Sequence, residues 1–216
     1  LGKSLRFQEN SYAKIQDDNR LDPVDSFTAE IWFRISEEDG ILINKSNAEI
    51  QKGQFQLAVS ESHLRATVYD KDGTSQNLVS SESFMLGSWN YGAMVFDQGL
   101  LTIFLNENAD SVQCDFSELS QENYFNDDLF LGTDGHDDLL SGRLDELRIW
   151  STARTADEIR AYSDISLQGD EEGLTAYFQC NEGFGTSVYD RTLNELRLDF
   201  YESVEWSDYN APVSNA

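Results

Sequence analysis

The residues of this chain best placed to do chemistry are carboxylates. Asp145 lies in Gly142-Arg-Leu-Asp-Glu-Leu-Arg-Ile-Trp150, where period-two alternation puts it on the same side as Leu147 and Ile149, an apolar side. An isolated ion there is strongly disfavoured, so Asp145 must be protonated, paired with a nearby Arg or Lys, or bound to a metal. Two loops cluster further acids, Asp70-Lys-Asp72-Gly73 and Asp134-Gly-His136-Asp137-Asp138. Their oxygens suit calcium, which accepts about six to eight oxygen ligands in flexible geometry. The plainer reading is turn chemistry, since Asp-Gly is what a tight turn needs and Asp70-x-Asp72-Gly73 lacks the downstream bidentate Glu of a calcium loop.

Catalytic motifs are missing. Gly-x-Ser-x-Gly, phosphate-cradling glycine loops, dinucleotide fingerprints and zinc spacings do not occur. Asp145 and Glu146 are neighbours, so in a regular strand they face opposite ways. The two histidines, His63 and His136, have no metal-ligand partners at useful spacing, and His136 reads as an exposed loop residue. Of Trp32, Trp89, Trp150 and Trp206, Trp32 is the candidate sugar-stacking platform, because it faces away from Ile31 and Phe33; Arg34 and Tyr69 would be its neighbours on a concave sheet.

Alternation runs through most of the chain and must position these groups. Ile31, Phe33 and Ile35 share a face, as do Phe55, Leu57 and Val59; Leu64, Ala66 and Val68; Leu101, Ile103 and Leu105; and Leu196, Leu198 and Phe200. Asp39-Gly40, Asp72-Gly73, Gln98-Gly99 and Asp134-Gly135 supply turn residues that tolerate positive φ. One helix is expected from Thr155, with Glu158 completing a capping box, to near Tyr162. Strands with a single late helix predict an all-β, antiparallel two-sheet sandwich. With 216 residues and only two prolines, the chain reads as one domain spanning 1–216.

Forty Asp plus Glu against 15 Lys plus Arg give a net charge of −25. Nucleic acid and anionic membranes are therefore poor partners, and no apolar run is long enough for membrane insertion. Cys114 and Cys180 each alternate with apolar residues, which favours two buried thiols over a bridge. Beginning at Leu-Gly-Lys, the chain reads as a piece of a longer protein.

The stretch from Gly142 to Trp150, followed by Ser-Thr-Ala-Arg-Thr-Ala-Asp-Glu-Ile159, resembles the penultimate strand and helix of LamG-like jelly-roll domains, of the laminin-G, pentraxin and concanavalin A-like superfamily. Leu5-Arg-Phe7, Phe27 to Phe33, Ile41 to Lys45, and Gly87-Ser-Trp89 with Leu101 to Asn106 resemble the family's earlier strands. Residues 174–216, beginning Leu174-Thr-Ala-Tyr-Phe-Gln-Cys-Asn-Glu-Gly-Phe-Gly-Thr, resemble an inter-module junction segment that completes the sandwich. The resemblance implies a jelly roll and a structural calcium on Asp145, with the backbone carbonyls of Glu9 and Gly40. Asp190 and Glu182 are further candidate ligands. The opening strand departs from the family pattern: Phe7-Gln-Glu-Asn-Ser-Tyr12 lacks its two aspartates. If the two acidic loops sit at one rim, they would suit a second calcium of the kind that laminin-G and pentraxin relatives use to bridge a sugar or protein ligand.

The fold also houses glucanases, whose Glu-x-Asp-x-(x)-Glu strand is absent here. The expected function is a non-catalytic extracellular module, secreted or on the cell surface, that recognises a glycan or glycoprotein with calcium beside neighbouring modules of the same chain. The alternatives are a structural spacer or protein-interaction repeat and, more remotely, a glycoside hydrolase.

Overall fold

Alternating apolar residues become strands throughout. The computed structural model describes residues 2–8, 10–47, 52–121, 128–135 and 139–214. In chain order its elements are β1 (Ser4–Phe7), β2 (Tyr12–Ile15), β3 (Ser26–Ile35), β4 (Gly40–Asn47), β5 (Lys52–Ser60), β6 (His63–Tyr69), β7 (Ser75–Ser83), β8 (Asn90–Asp97), β9 (Leu100–Leu105), β10 (Asn108–Gln113), β11 (Leu129–Leu131), β12 (Gly142–Trp150), α1 (Ala156–Tyr162), β13 (Leu174–Phe178), β14 (Ser187–Tyr189), β15 (Arg197–Tyr201) and β16 (Glu205–Ser207).

Two antiparallel sheets result, an all-β jelly-roll sandwich. Sheet A runs β10-β9-β8-β3-β12-β1-β16, with β13 also paired to β12; sheet B runs β14-β15-β2-β11-β4-β5-β6-β7. Their inner faces share one core, in which Phe7, Phe27, Phe33, Phe55, Phe96 and Phe178 are fully buried. The segment after α1 contributes β13 and β16 to sheet A and β14 and β15 to sheet B. Cys114 and Cys180 are free and buried. Burial pushes the Cys114 thiol up to about 11.

Thr155 caps α1 through its side chain, and Glu158 returns the bond to the Thr155 amide at 2.8 Å, forming the capping box. The helix packs Ile159 onto the outer face of sheet A, beside Trp32, Tyr91 and Phe104. The chain end crosses the same face, held by Ser4 Oγ donating to the Tyr209 carbonyl at 3.0 Å.

Two local expectations change. Gly40 occupies no positive-φ turn: it opens β4 opposite Val59, packed against Leu140, whose Cδ1 would lie 2.9 Å from an added Cβ. On β12, Asp145 pairs with Trp32 and Arg148 with Glu30, which leaves one extra residue in β12. Glu146 absorbs it at φ 55°. This β-bulge resets the alternation. Leu144, Leu147 and Ile149 enter the core, while Asp145 turns to the opposite side, next to Trp32.

Candidate functional site

The bulge and the outer residues of β3 place a buried polar network between sheet A and the layer formed by α1 and the chain end. Glu30 and Arg148 are wholly buried, and Asp145 and Glu146 nearly so. Arg148 donates to Glu146 Oε2 at 3.0 Å and to the carbonyls of Tyr162 and Ile165 at 2.7 Å each. It also lies 3.6 Å from Glu30 Oε2. Tyr91 and Tyr177 donate at 2.6 Å to Glu30 and Glu146 respectively. Arg154 stacks over Trp150 at 3.9 Å and approaches Glu30 Oε1 at 3.6 Å. Burial works against the Arg148 charge, yet the surrounding Tyr91, Glu30 and Glu146 hold its pKa above the ordinary value. The network pins the carbonyls that end α1 to the sheet.

Asp145 has no guanidinium of its own in this network. Its Oδ1 accepts from the Glu146 amide at 3.0 Å and its Oδ2 from the Ala211 amide at 2.8 Å. Burial pushes its pKa well above 3.8, and the neighbouring Glu146 adds to the rise. Burial likewise raises Glu146. A carboxyl raised in the folded state contributes stability that is full below its unfolded pKa and is lost as pH climbs through the folded one. From about pH 4 upward, the wild-type stability therefore carries a falling component that Asp145→Asn lacks. Urea unfolding of both proteins between pH 5 and 8 checks this, and parallel curves would refute it.

Among the described residues, the donors named for calcium lie apart. Asp145 opens onto the outer face of sheet A, whereas Gly40 lies in sheet B. Asp190 ties its own turn to β13: it accepts from the Tyr177 and Thr192 amides at 3.0 and 2.9 Å and from the Thr192 hydroxyl at 2.7 Å. Glu182 accepts from the Tyr189 amide at 3.0 Å. Among the described residues no three His, Cys, Asp or Glu side chains group to hold a metal. Glu9, His136, Asp137 and Asp138 lie outside the described residues.

The two acidic loops do not share a rim. Strand β11 is antiparallel to β4, β4 to β5 and β5 to β6, so β11 and β6 run in opposite directions. Asp70, following β6, and Asp134, following β11, therefore leave at opposite ends of sheet B. Asp70 closes its own turn, accepting from the Asp72 and Thr74 amides at 2.9 and 2.7 Å. Asp72 is exposed, 3.6 Å from Lys71. Trp32 is covered: only 9% exposed, it donates Nε1 to the Ser163 carbonyl at 2.7 Å and meets Tyr91 edge-on. Tyr69 is on the other sheet, and Arg34 lies over Tyr209.

The outer face of sheet B has no helix over it among the described residues, and here lie aromatic groups not singled out from the sequence. Tyr12 and Tyr201, opposite each other on β2 and β15, stack at 4.8 Å with planes 2° apart. Phe130 flanks Tyr12 at 6.1 Å, and Tyr189 on β14 is exposed. Charged groups interleave with them. Lys14 lies 5.3 Å from the Tyr201 ring and pairs with Asp128 at 2.6 Å, while Arg197 pairs with Asp199 at 2.8 Å. Alternation alone could have found Tyr12, Lys14, Asp199 and Tyr201 as the outward set of two strands; their meeting depends on β2 pairing with β15.

The sequence profile of the concanavalin A-like lectin/glucanases superfamily matches residues 7–160. The chain belongs to that superfamily. A candidate carbohydrate-binding protein from Bacteroides ovatus shares the superfamily chain's fold with a TM-score of 0.77 at 16% identity, over 99% of this chain and 62% of its own. A heptameric SAP-like pentraxin from Limulus polyphemus superposes with a TM-score of 0.56 at 14% identity, covering 74% of this chain and 80% of its own. The LG1-3 region of the laminin α2 chain gives 0.56 at 16%, over 73% and 32%. The chain thus spans about three fifths of the Bacteroides protein. Among proteins of curated function, none matches it by sequence. Within a superfamily that includes glucanases, the buried carboxylates of this network, Glu30, Asp145 and Glu146, are committed to arginines, tyrosines and backbone amides. They are enclosed in the interior and do not face an open cleft as an acid and nucleophile pair would. No described helix is long and apolar enough to cross a membrane.

Proposed function

We propose that the chain is a carbohydrate-recognition module of a larger extracellular protein, with the glycan laid across the outer face of the β14-β15-β2-β11 half of sheet B. The observation that carries this reading is the stacked Tyr12–Tyr201 pair, with Phe130 and Tyr189 beside it and Lys14, Arg197 and Asp199 interleaved. A pyranose ring offers an apolar CH face and a rim of hydroxyls. Aromatic faces take the first, and planar charged groups at their edges take the second. Membership of a lectin-bearing superfamily and the fold shared with the Bacteroides protein support the same ligand class.

A glycan array probed in calcium and again in chelator tests the proposal and separates metal-dependent from metal-independent recognition. Binding to a defined neutral or acidic glycan is expected, and Tyr201→Ala should weaken it about tenfold or more while the protein stays folded. Silence across diverse glycans in both conditions, or full binding by a Tyr12→Ala/Tyr201→Ala double variant, would overturn it.

A further inference from the structure

The outer face of sheet A carries a row of like charge. Arg6 on β1 stands directly opposite Arg143 on β12, and Arg143 directly opposite Arg34 on β3. Like charges facing one another across a ladder destabilise it. The chain has 40 acidic residues against 15 basic ones, so three arginines in one row run against its composition. Little offsets them. Glu205 reaches Arg6 at 3.6 Å with both side chains well exposed, a pairing of small value. Arg143 donates Nε to the Ser207 hydroxyl at 2.9 Å. Arg34 lies over the Tyr209 ring at 4.5 Å, with its Nε buried and without a hydrogen-bond partner.

The three arginines are among the residues that line a hollow of about 340 Å³, with Ser36, Ser141 and Gly142. That size is near the lower end of small-ligand sites, about 300–1,000 Å³. Burial, then Arg34 and Arg6, depress the Arg143 pKa; a bound anion would relieve this crowding.

We propose that the hollow framed by Arg6, Arg143 and Arg34 is an oxyanion subsite that takes one carboxylate or sulfate group, free or carried on a sugar. Planar guanidinium forks match the oxygens of either group and bind them in pairs. The overall charge of −25 repels polyanions at long range, but over about 8 Å at physiological salt the local arginines dominate. The subsite lies on sheet A, away from the aromatic face, so it does not depend on the glycan reading of sheet B.

Titration with sodium sulfate, sodium glucuronate, sodium acetate and neutral glucose, at constant ionic strength set with sodium chloride, tests it through arginine Nε–H resonances and the melting midpoint. Sulfate and glucuronate are expected to shift the Arg34 and Arg143 resonances saturably and raise the midpoint, while glucose does neither. Tighter binding of glucuronate than of sodium acetate assigns the group to a sugar, and equal binding of the two to a free ion. Arg34→Gln and Arg143→Gln should each weaken the response about tenfold, with Arg160→Gln as an unaffected control. Ligand-free Arg34→Gln should melt no lower than the wild type, because a like-charge contact is removed. No saturable shift with either sulfate or glucuronate, or an unchanged affinity in the Arg34→Gln/Arg143→Gln double variant, would overturn the proposal.

Discussion

Arg148→Met is expected to lose roughly 3–5 kcal/mol of unfolding free energy, the range for removing one member of a buried ionic cluster. The methionine fills much of the same volume, so the loss comes from the charges left behind. Glu146 remains in the interior with Tyr177 donating to it, Glu30 keeps Tyr91 and the 3.6 Å approach of Arg154, and the Ile165 carbonyl loses the guanidinium while that of Tyr162 keeps only the Ile165 amide at 3.3 Å. Urea unfolding gives the magnitude. Limited proteolysis between Ser151 and Ser166 locates the effect, because α1 should loosen before the sheets do. Adding Glu30→Gln and Glu146→Gln to Arg148→Met should restore part of the loss, as neutral amides need no counter-ion. A loss below about 1 kcal/mol in the single variant would show that the carboxylates are neutralised some other way.

Trp32→Ala should cost about 3–5 kcal/mol, the range for truncating a large buried aromatic residue. Its ring fills the space between Tyr91, Ile159 and Ala211, and its Nε1 holds the Ser163 carbonyl at the end of α1. Where the variant remains folded, glycan binding should be unaffected. Tyr201→Ala is expected to do the reverse, reducing binding with little change in stability. The pair forms a crossed test: a Trp32 variant that is stable but no longer binds would return Trp32 to the role of stacking platform.

Much of the architecture was legible because its determinants are local. Period-two alternation marked the core sides of β3, β5, β6 and β9, and the Thr155–Glu158 capping box placed α1 to within a residue. Asp72-Gly73 and Gln98-Gly99 take the positive-φ geometry their composition demands, with Gly73 at 82° and Gly99 at 99°. Membership of the superfamily was readable from the same strands.

The site was less legible, for two physical reasons. Alternation fixes a side only while the strand is regular. The extra residue at Glu146 reversed the side of Asp145, and its one trace in the apolar pattern is the three-residue step from Leu144 to Leu147. The second reason is that an outward residue is exposed only if nothing packs above it. Trp32 and Tyr201 both face outward, but α1 and the chain end lie over the first and no described helix over the second. Which face receives the helix is a property of the assembled sandwich. The grouping of Tyr12 with Tyr201 and of Arg6 with Arg143 and Arg34 depends on strands distant in sequence, so neither set forms a linear motif.

The pairing of β1 with β16 and of β2 with β15 has a consequence for how the molecule is made. The first strands of the sandwich to leave the ribosome have partners among its last, so neither sheet can be completed until β15 and β16 have emerged. Closing such long loops delays the gain from the contacts they bring together, and all-β topologies of this kind fold slowly, on the order of milliseconds to seconds. Until then β2 presents a bare edge able to pair with another chain. The high negative charge suits that interval, since mutual repulsion keeps nascent copies apart while their edges are still open.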